Sequence, residues 1–261
     1  MPSLHPRLLI KKSPPRPRDP PRRVFPELTV ILALLGAALG LLAFALIAGQ
    51  VVAQHTRAFD EAVLLAFRTP GDPANPLGPH WLETTMRDVT ALGSTTVLTL
   101  TTLIVTGFLF IDRKRAAALF VLLATAGGGL LNYALKLGFE RPRPDLVSHL
   151  VHADTASFPS GHAMGAAVTF LTLGVLLMRI ESGRRVKAYV LAVAVGLTVL
   201  VGLSRVYLGV HWPTDVLAGW CVGSAWALLC WVVMRLLQRR GKVEAAGGTA
   251  PHDARTGASR S

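Results

Sequence analysis

The chemistry in this chain gathers in three short stretches. In "SRVYLGVHWPTD" (204–215), His211 and Asp215 lie four residues apart, with Pro213 between them at the start of an apolar run. If Pro213 begins a helix, the carboxylate can accept a hydrogen bond from one imidazole nitrogen. The other nitrogen is then left unprotonated and free to act as nucleophile or base. An Asp helix cap beside an interfacial His is the plainer alternative. In "FPSGH" (158–162), Pro159 cannot continue a preceding helix and Ser160 is a good N-cap. The N–H groups of Gly161 and His162 would then project from a helix N-terminus, a ready site for an anion, and glycine lets that anion approach the backbone. A simple helix cap with a surface His reads equally well. Around "GFERPRP", Lys136 and Arg143 are two permanent cations seven residues apart, and Arg205 is a third. Cations converging on one anion suit a phosphate, because arginine offers a bidentate fork. A pair of cations snorkelling at a helix end is the competing explanation.

These stretches are separated by long apolar runs, and it is the runs that must position them. Half of the 261 residues are apolar, and the charges fall between the runs. A run of about 18 residues or more can cross a hydrocarbon core of roughly 30 Å as a helix. Six such runs are present, at about 28–52, 94–111, 116–136, 162–179, 187–206 and 214–237. The fold class expected is all-α, a bundle of six transmembrane helices, since helices this apolar satisfy their own backbone in lipid. Residues 1–26, basic and proline-rich, are expected to be a disordered cytoplasmic tail, and the first apolar run a retained membrane helix. Residues 27–237 form the membrane domain, with 53–93 a long outer loop carrying short interfacial helices. Residues 238–261 read as a second disordered cytoplasmic tail.

The net charge of +12 does not point to nucleic acid. The basic residues sit in blocks at the ends of apolar runs, the pattern of topology signals rather than of a binding stripe. With both termini in the cytoplasm, 20 of the 27 Lys and Arg fall on inner segments. The remaining seven lie outside, and Lys136, Arg143 and Arg205 are among them. Charges at or near membrane depth are costly and tend to mark sites. The same topology brings Ser160, His162, His211 and Asp215 to that outer face. Cys221 and Cys230, about 13 Å apart along one helix, are too distant for a disulfide with each other and read as structural. Neither they nor the histidines show a metal-type spacing.

Together the three stretches resemble the signature of the type 2 phosphatidic acid phosphatase superfamily: Lys, six residues, Arg-Pro; Pro-Ser-Gly-His; Ser-Arg, five residues, His, three residues, Asp. Here these are Lys136…Arg143-Pro144, Pro159-Ser160-Gly161-His162 and Ser204-Arg205…His211…Asp215, without a gap. The resemblance covers about 94–237 and implies roles. His211 would attack phosphorus and form a phosphohistidine. Asp215 would orient it. His162 would protonate the leaving group and then activate water. Lys136, Arg143 and Arg205, with Ser160 and the Gly161 N–H, would hold the phosphate oxygens in place of metals. No metal or cofactor is expected. Asn132, Tyr207, Gly209 and Trp212 read as packing.

The signature is shared with soluble vanadium-dependent haloperoxidases, against which six spans argue. A lipid-binding protein or transporter would not need His211 and Asp215 at this spacing. The expected partner is a membrane lipid phosphate in a bilayer, with no nucleic acid. Undecaprenyl diphosphate is the first choice, ahead of phosphatidic acid, phosphatidylglycerol phosphate or a lipid A phosphate. The expected location is the bacterial inner membrane, with the site on the periplasmic side. Nothing in the chain indicates its oligomeric state.

Overall fold

The computed structural model describes residues 25–151 and 155–239. Both expected tails, apart from their innermost residues, lie outside this range. Eight helices and one small ribbon appear in the order α1 (Phe25–Val52), α2 (Arg57–Ala66), β1 (Arg68–Thr69), β2 (Asp72–Pro76), α3 (His80–Ala91), α4 (Thr95–Ile111), α5 (Arg115–Phe139), α6 (Gly161–Ile180), α7 (Arg184–Tyr207) and α8 (Pro213–Arg239). The six apolar runs become α1 and α4 to α8, so the all-α membrane bundle stands. Five of these helices are long and apolar enough to cross a membrane unaided. At 17 residues α4 spans about 25 Å, short of the hydrocarbon core. It reaches that length together with α3, from which it is bent by 48°. The 53–93 stretch holds the short helices α2 and α3 and also the β1–β2 antiparallel ribbon, which the Pro/Gly cluster concealed.

α8 is the central helix, packed on α1 and α6, while α6 also packs on α7 and α5. Small residues permit the tightest of these contacts. A Cβ at Gly219 would lie 2.8 Å from the Ser160 carbonyl oxygen, and one at Gly223 would lie 2.8 Å from that of Met164. Two glycines four apart therefore let the α6 and α8 backbones meet directly. The opposite surface of the bundle is apolar and open. Leu32, Leu35, Leu39 and Leu46 of α1 and Ile104 and Phe108 of α4 are all exposed, as befits side chains that face lipid.

An aromatic cluster at the end of the bundle where α5 stops and α6 starts fixes the loop between them. Phe158 is fully buried, its ring stacked on Phe44 of α1 at 5.9 Å and edge-on to Phe139 of α5 at 4.9 Å. Ring contacts of this kind combine a large buried area with specific geometry. They hold Pro159 and Ser160 at the mouth of α6, against the start of α8.

Candidate active site

The expected site residues arrive on six separate pieces of chain. Lys136 is in the last turn of α5, and Arg143 is on the loop after it. Ser160 caps α6, accepting the Ala163 N–H at 3.5 Å, and Gly161 and His162 open that helix. Arg205 lies in the last turn of α7, and Asp215 in the first turn of α8. His211 sits in the connection between those two helices. Gly209, at φ +77, turns the chain there; a Cβ on it would strike Arg68 and the Ser148 carbonyl.

A cavity of about 660 Å³ is lined by Lys136, Arg143, Gly161, His162, Arg205 and His211 at its outer end. Among the described residues no Asp or Glu lines it, and the charged side chains that do are Lys136, Arg143 and Arg205. Lys136 Nζ donates to Thr155 Oγ1 at 2.9 Å and to the Ala156 carbonyl at 2.6 Å. Arg143 Nη2 donates to the same Thr155 oxygen at 3.3 Å. Two cations from different segments thus already meet on one oxygen atom. Arg205 Nη1 donates to Thr90 Oγ1 at 2.9 Å, while its buried Nε has no hydrogen-bond partner among the described residues. The cavity then runs inward between α4, α5 and α6, past Leu98, Leu103, Leu122 and Val168. Leu122 lies 14 residues before Lys136 on α5, about 21 Å of helical rise. Leu103, Leu122 and Tyr133 line the cavity and are also exposed on the bundle surface.

His211 is 2% exposed. Its Nδ1 faces Asp215 Oδ2 and Ser157 Oγ, each at 3.4 Å, and its Nε2 faces Arg143 Nη1 at 3.3 Å. The His–Asp distance exceeds that of a strong hydrogen bond. Burial pushes the His211 imidazole down to about 4; Asp215 opposes that shift, and Arg205 and Arg143 add to it. The ring is therefore neutral near pH 7, with Nδ1–H directed at the carboxylate and Nε2 toward the cavity.

Asp215 is entirely buried and fully engaged. Its Oδ2 also accepts the Trp212 N–H at 2.9 Å and the Ser157 hydroxyl, and its Oδ1 accepts from Arg141 Nη1 at 2.6 Å. Arg141 reaches on to Asp60 of α2 at 2.8 Å. Asp60, Arg141 and Ser157 were not singled out in the sequence. Arg141 could have been noticed as the first arginine of "RPRP". Asp60 carries no local signal, because only the tertiary fold turns it inward.

The expectation that Ser160 holds an oxygen has a different geometry here. Its hydroxyl is buried, caps α6, and does not line the cavity. Asn132 does line the cavity, beside Gly161, where an added Cβ would meet its Oδ1 at 3.1 Å. Tyr207 and Trp212 pack as expected: the Tyr207 hydroxyl donates to the Leu77 carbonyl, and the Trp212 indole to that of Pro142. Cys221 and Cys230 are free and half-buried. Among the described residues no three His, Cys, Asp or Glu side chains converge as metal ligands would.

Comparison with known proteins agrees with this arrangement. The family model described as the PAP2 superfamily matches residues 117–239. The phosphatidylglycerophosphatase B of Bacillus subtilis is 36% identical over 69% of this chain and 85% of its own length. The undecaprenyl-diphosphatase BcrC of the same organism is 32% identical over 40% of this chain and 51% of its own. The crystal structure of a transmembrane PAP2-type phosphatidylglycerolphosphate phosphatase from Bacillus subtilis superimposes with a TM-score of 0.70 at 32% identity, covering 78% of this chain and 98% of that one. With this kinship and the cationic site at the end of a membrane bundle, the chain belongs to the PAP2 superfamily, as a multi-pass membrane lipid phosphatase.

Proposed function

We propose that this protein hydrolyses a phosphomonoester of a glycerophospholipid, phosphatidylglycerol phosphate first, through a phosphohistidine on His211. The observation that carries the reading is the shape of the cavity, which has three cations and two histidines at its outer end and an apolar slot some 20 Å long beneath them. A headgroup phosphate reaches the cations while an acyl chain stays in the slot. Leu103 and Tyr133, exposed on the bundle surface, offer entry from the bilayer side.

The chemistry follows from the placement of each group. His211 Nε2 attacks phosphorus in line with the leaving oxygen. The P–O bond to the lipid breaks as the N–P bond forms, and His162, protonated when the phosphate's negative charge binds beside it, gives that proton to the departing alkoxide. Water then attacks the phosphohistidine and loses a proton to His162, which returns to its starting state as inorganic phosphate leaves. Charge on the equatorial oxygens is met by Lys136, Arg143 and Arg205, which supply the positioning and stabilisation on which phosphoryl transfer depends. Asp215 keeps Nδ1–H in place and offsets the positive charge that develops on the ring.

The choice of lipid rests on the relative that matches over most of its own length, a phosphatidylglycerophosphatase. This reorders the ranking from sequence, which placed undecaprenyl diphosphate first. The diphosphate remains the second reading, supported by the shorter match to an undecaprenyl-diphosphatase. The excess of Lys and Arg on the other segments supports a site on the outer face of a bacterial inner membrane. The test is phosphate release by the purified protein in mixed micelles from phosphatidylglycerol phosphate, phosphatidic acid, undecaprenyl diphosphate, a lipid A 1-phosphate and a short soluble ester. The glycerophospholipid should lead in kcat/KM, with the soluble ester far behind. Equal turnover of the soluble ester would contradict the lipid reading. A tenfold lead for the diphosphate, about 1.4 kcal/mol in transition-state binding, would restore the second reading.

A further inference from the structure

We propose that Asp60, on the outer helix α2, is a positioning residue for the nucleophile, acting through Arg141 and the first turn of α8; this rests on His211 being the nucleophile. α2 is a short amphipathic helix whose two carboxylates have opposite fates. Glu61 stays at the surface and pairs with Arg57 at 2.7 Å. Asp60 is turned inward and wholly buried. A carboxylate in that position is costly unless every oxygen is satisfied, and here each is. Oδ1 accepts the Thr214 N–H at 2.9 Å, and Oδ2 accepts the Thr214 hydroxyl at 2.8 Å and Arg141 Nη2 at 2.8 Å.

Two consequences follow for Asp215. Thr214 N–H is one of the donors that a helix start leaves without an intrahelical partner, so Asp60 caps α8 from another helix, one residue before Asp215. In addition, Arg141 is shared between two acids. With Asp60 in place, its charge is divided, and Asp215 keeps negative charge for the His211 ring. Without Asp60, the whole guanidinium charge falls on Asp215 Oδ1, 2.6 Å away, and Asp215 polarises the imidazole less. Asp60 itself neither touches His211 nor lines the cavity that holds it.

An isosteric and a charge-retaining variant separate this role from plain packing. A packing role favours Asp60→Asn, which keeps the volume, over Asp60→Glu, which adds a methylene. A charge-and-positioning role favours Asp60→Glu. The full chain, purified in detergent and shown to be monodisperse, is assayed with phosphatidylglycerol phosphate in mixed micelles. Asp60→Asn should lower kcat by about tenfold or more with KM within about threefold, since substrate contacts are untouched. Asp60→Glu should retain more kcat than Asp60→Asn. Should Asp60→Asn fail to fold, Thr214→Val removes the shared hydroxyl without altering any charge. It should lower kcat by about threefold or more with KM unchanged. Either variant matching wild type in kcat, or Asn being better tolerated than Glu, would overturn the proposal. Failure of the functional reading looks different: wild-type protein that releases no lipid phosphate at all.

Discussion

The two sides of His211 are built on opposite principles. On its Nδ1 side, Asp215, Arg141, Asp60, Ser157 and Thr214 form a closed network in which both buried carboxylates have all their oxygens engaged. On its Nε2 side lie three cations: among the described residues, Lys136 and Arg143 donate to the Ala156, Thr155 and Val210 carbonyls and to the Thr155 hydroxyl, and Arg205 Nε is buried without a hydrogen-bond partner. A satisfied network in a low dielectric is rigid, and breaking it is costly. Lys136, Arg143 and Arg205 all border the cavity, where their N–H groups can donate to the charged oxygens of a phosphate. On the proposed mechanism, one side would fix the nucleophile and the other would receive the substrate.

The sharpest way to break this comparison is to remove the residue between the two sides. His211→Ala should cost about 10⁴-fold or more in kcat while the protein remains folded and monodisperse. On the receiving side, Arg205→Met should cost about 10²- to 10³-fold in kcat/KM, the loss typical of one preorganised donor. Thermal stability should change little, because that guanidinium already lacks a full set of partners. On the fixing side, Gly219→Val tests whether the close α6–α8 contact sets the site. The new side chain would meet the Ser160 carbonyl at 2.8 Å and the Ala163 Cβ at 3.1 Å. Overpacking of this kind costs about 1–3 kcal/mol, and activity should fall with it, measured as turnover per folded protein alongside a melting curve.

The smallest expected effect is in pH. Burial holds the folded His211 near 4, against about 6.5 for a free imidazole. The unfolded chain then binds a proton that the folded chain refuses. The stability that His211 contributes is present above about pH 6.5 and is lost as the pH falls toward 4. His211→Gln should flatten the fall in melting temperature between pH 7 and 4.5. An unchanged slope would show that the ring is not held neutral by burial.

Much of this architecture could be read from the chain, and what could not has a physical reason. The six apolar runs placed α1 and α4 to α8 to within a few residues because long spans carry their own periodicity-free signal. Lys136, Arg143, Gly161, His162, Arg205 and His211 were legible as candidates because they sit at fixed spacings in three short motifs, and one cavity gathers them. The fixing side was hidden. Asp60 is 154 residues from Thr214, and only the packing of α2 on α8 brings the two together. Ser157 lies beside "PSGH" but becomes Asp215's partner only once the Phe44–Phe139–Phe158 cluster folds its loop inward. The bent α3–α4 pair escaped because α3 is not apolar enough to read as part of a span.

The central claim is that His211 carries the phosphoryl group. It is tested most directly by acid-free quenching of the purified enzyme during turnover of a ³²P-labelled phosphatidylglycerol phosphate, followed by peptide mapping under alkaline conditions. The structure predicts an alkali-stable, acid-labile label on the peptide containing His211, absent from His211→Ala. Turnover without such a label, or a label carried by His162, would contradict it.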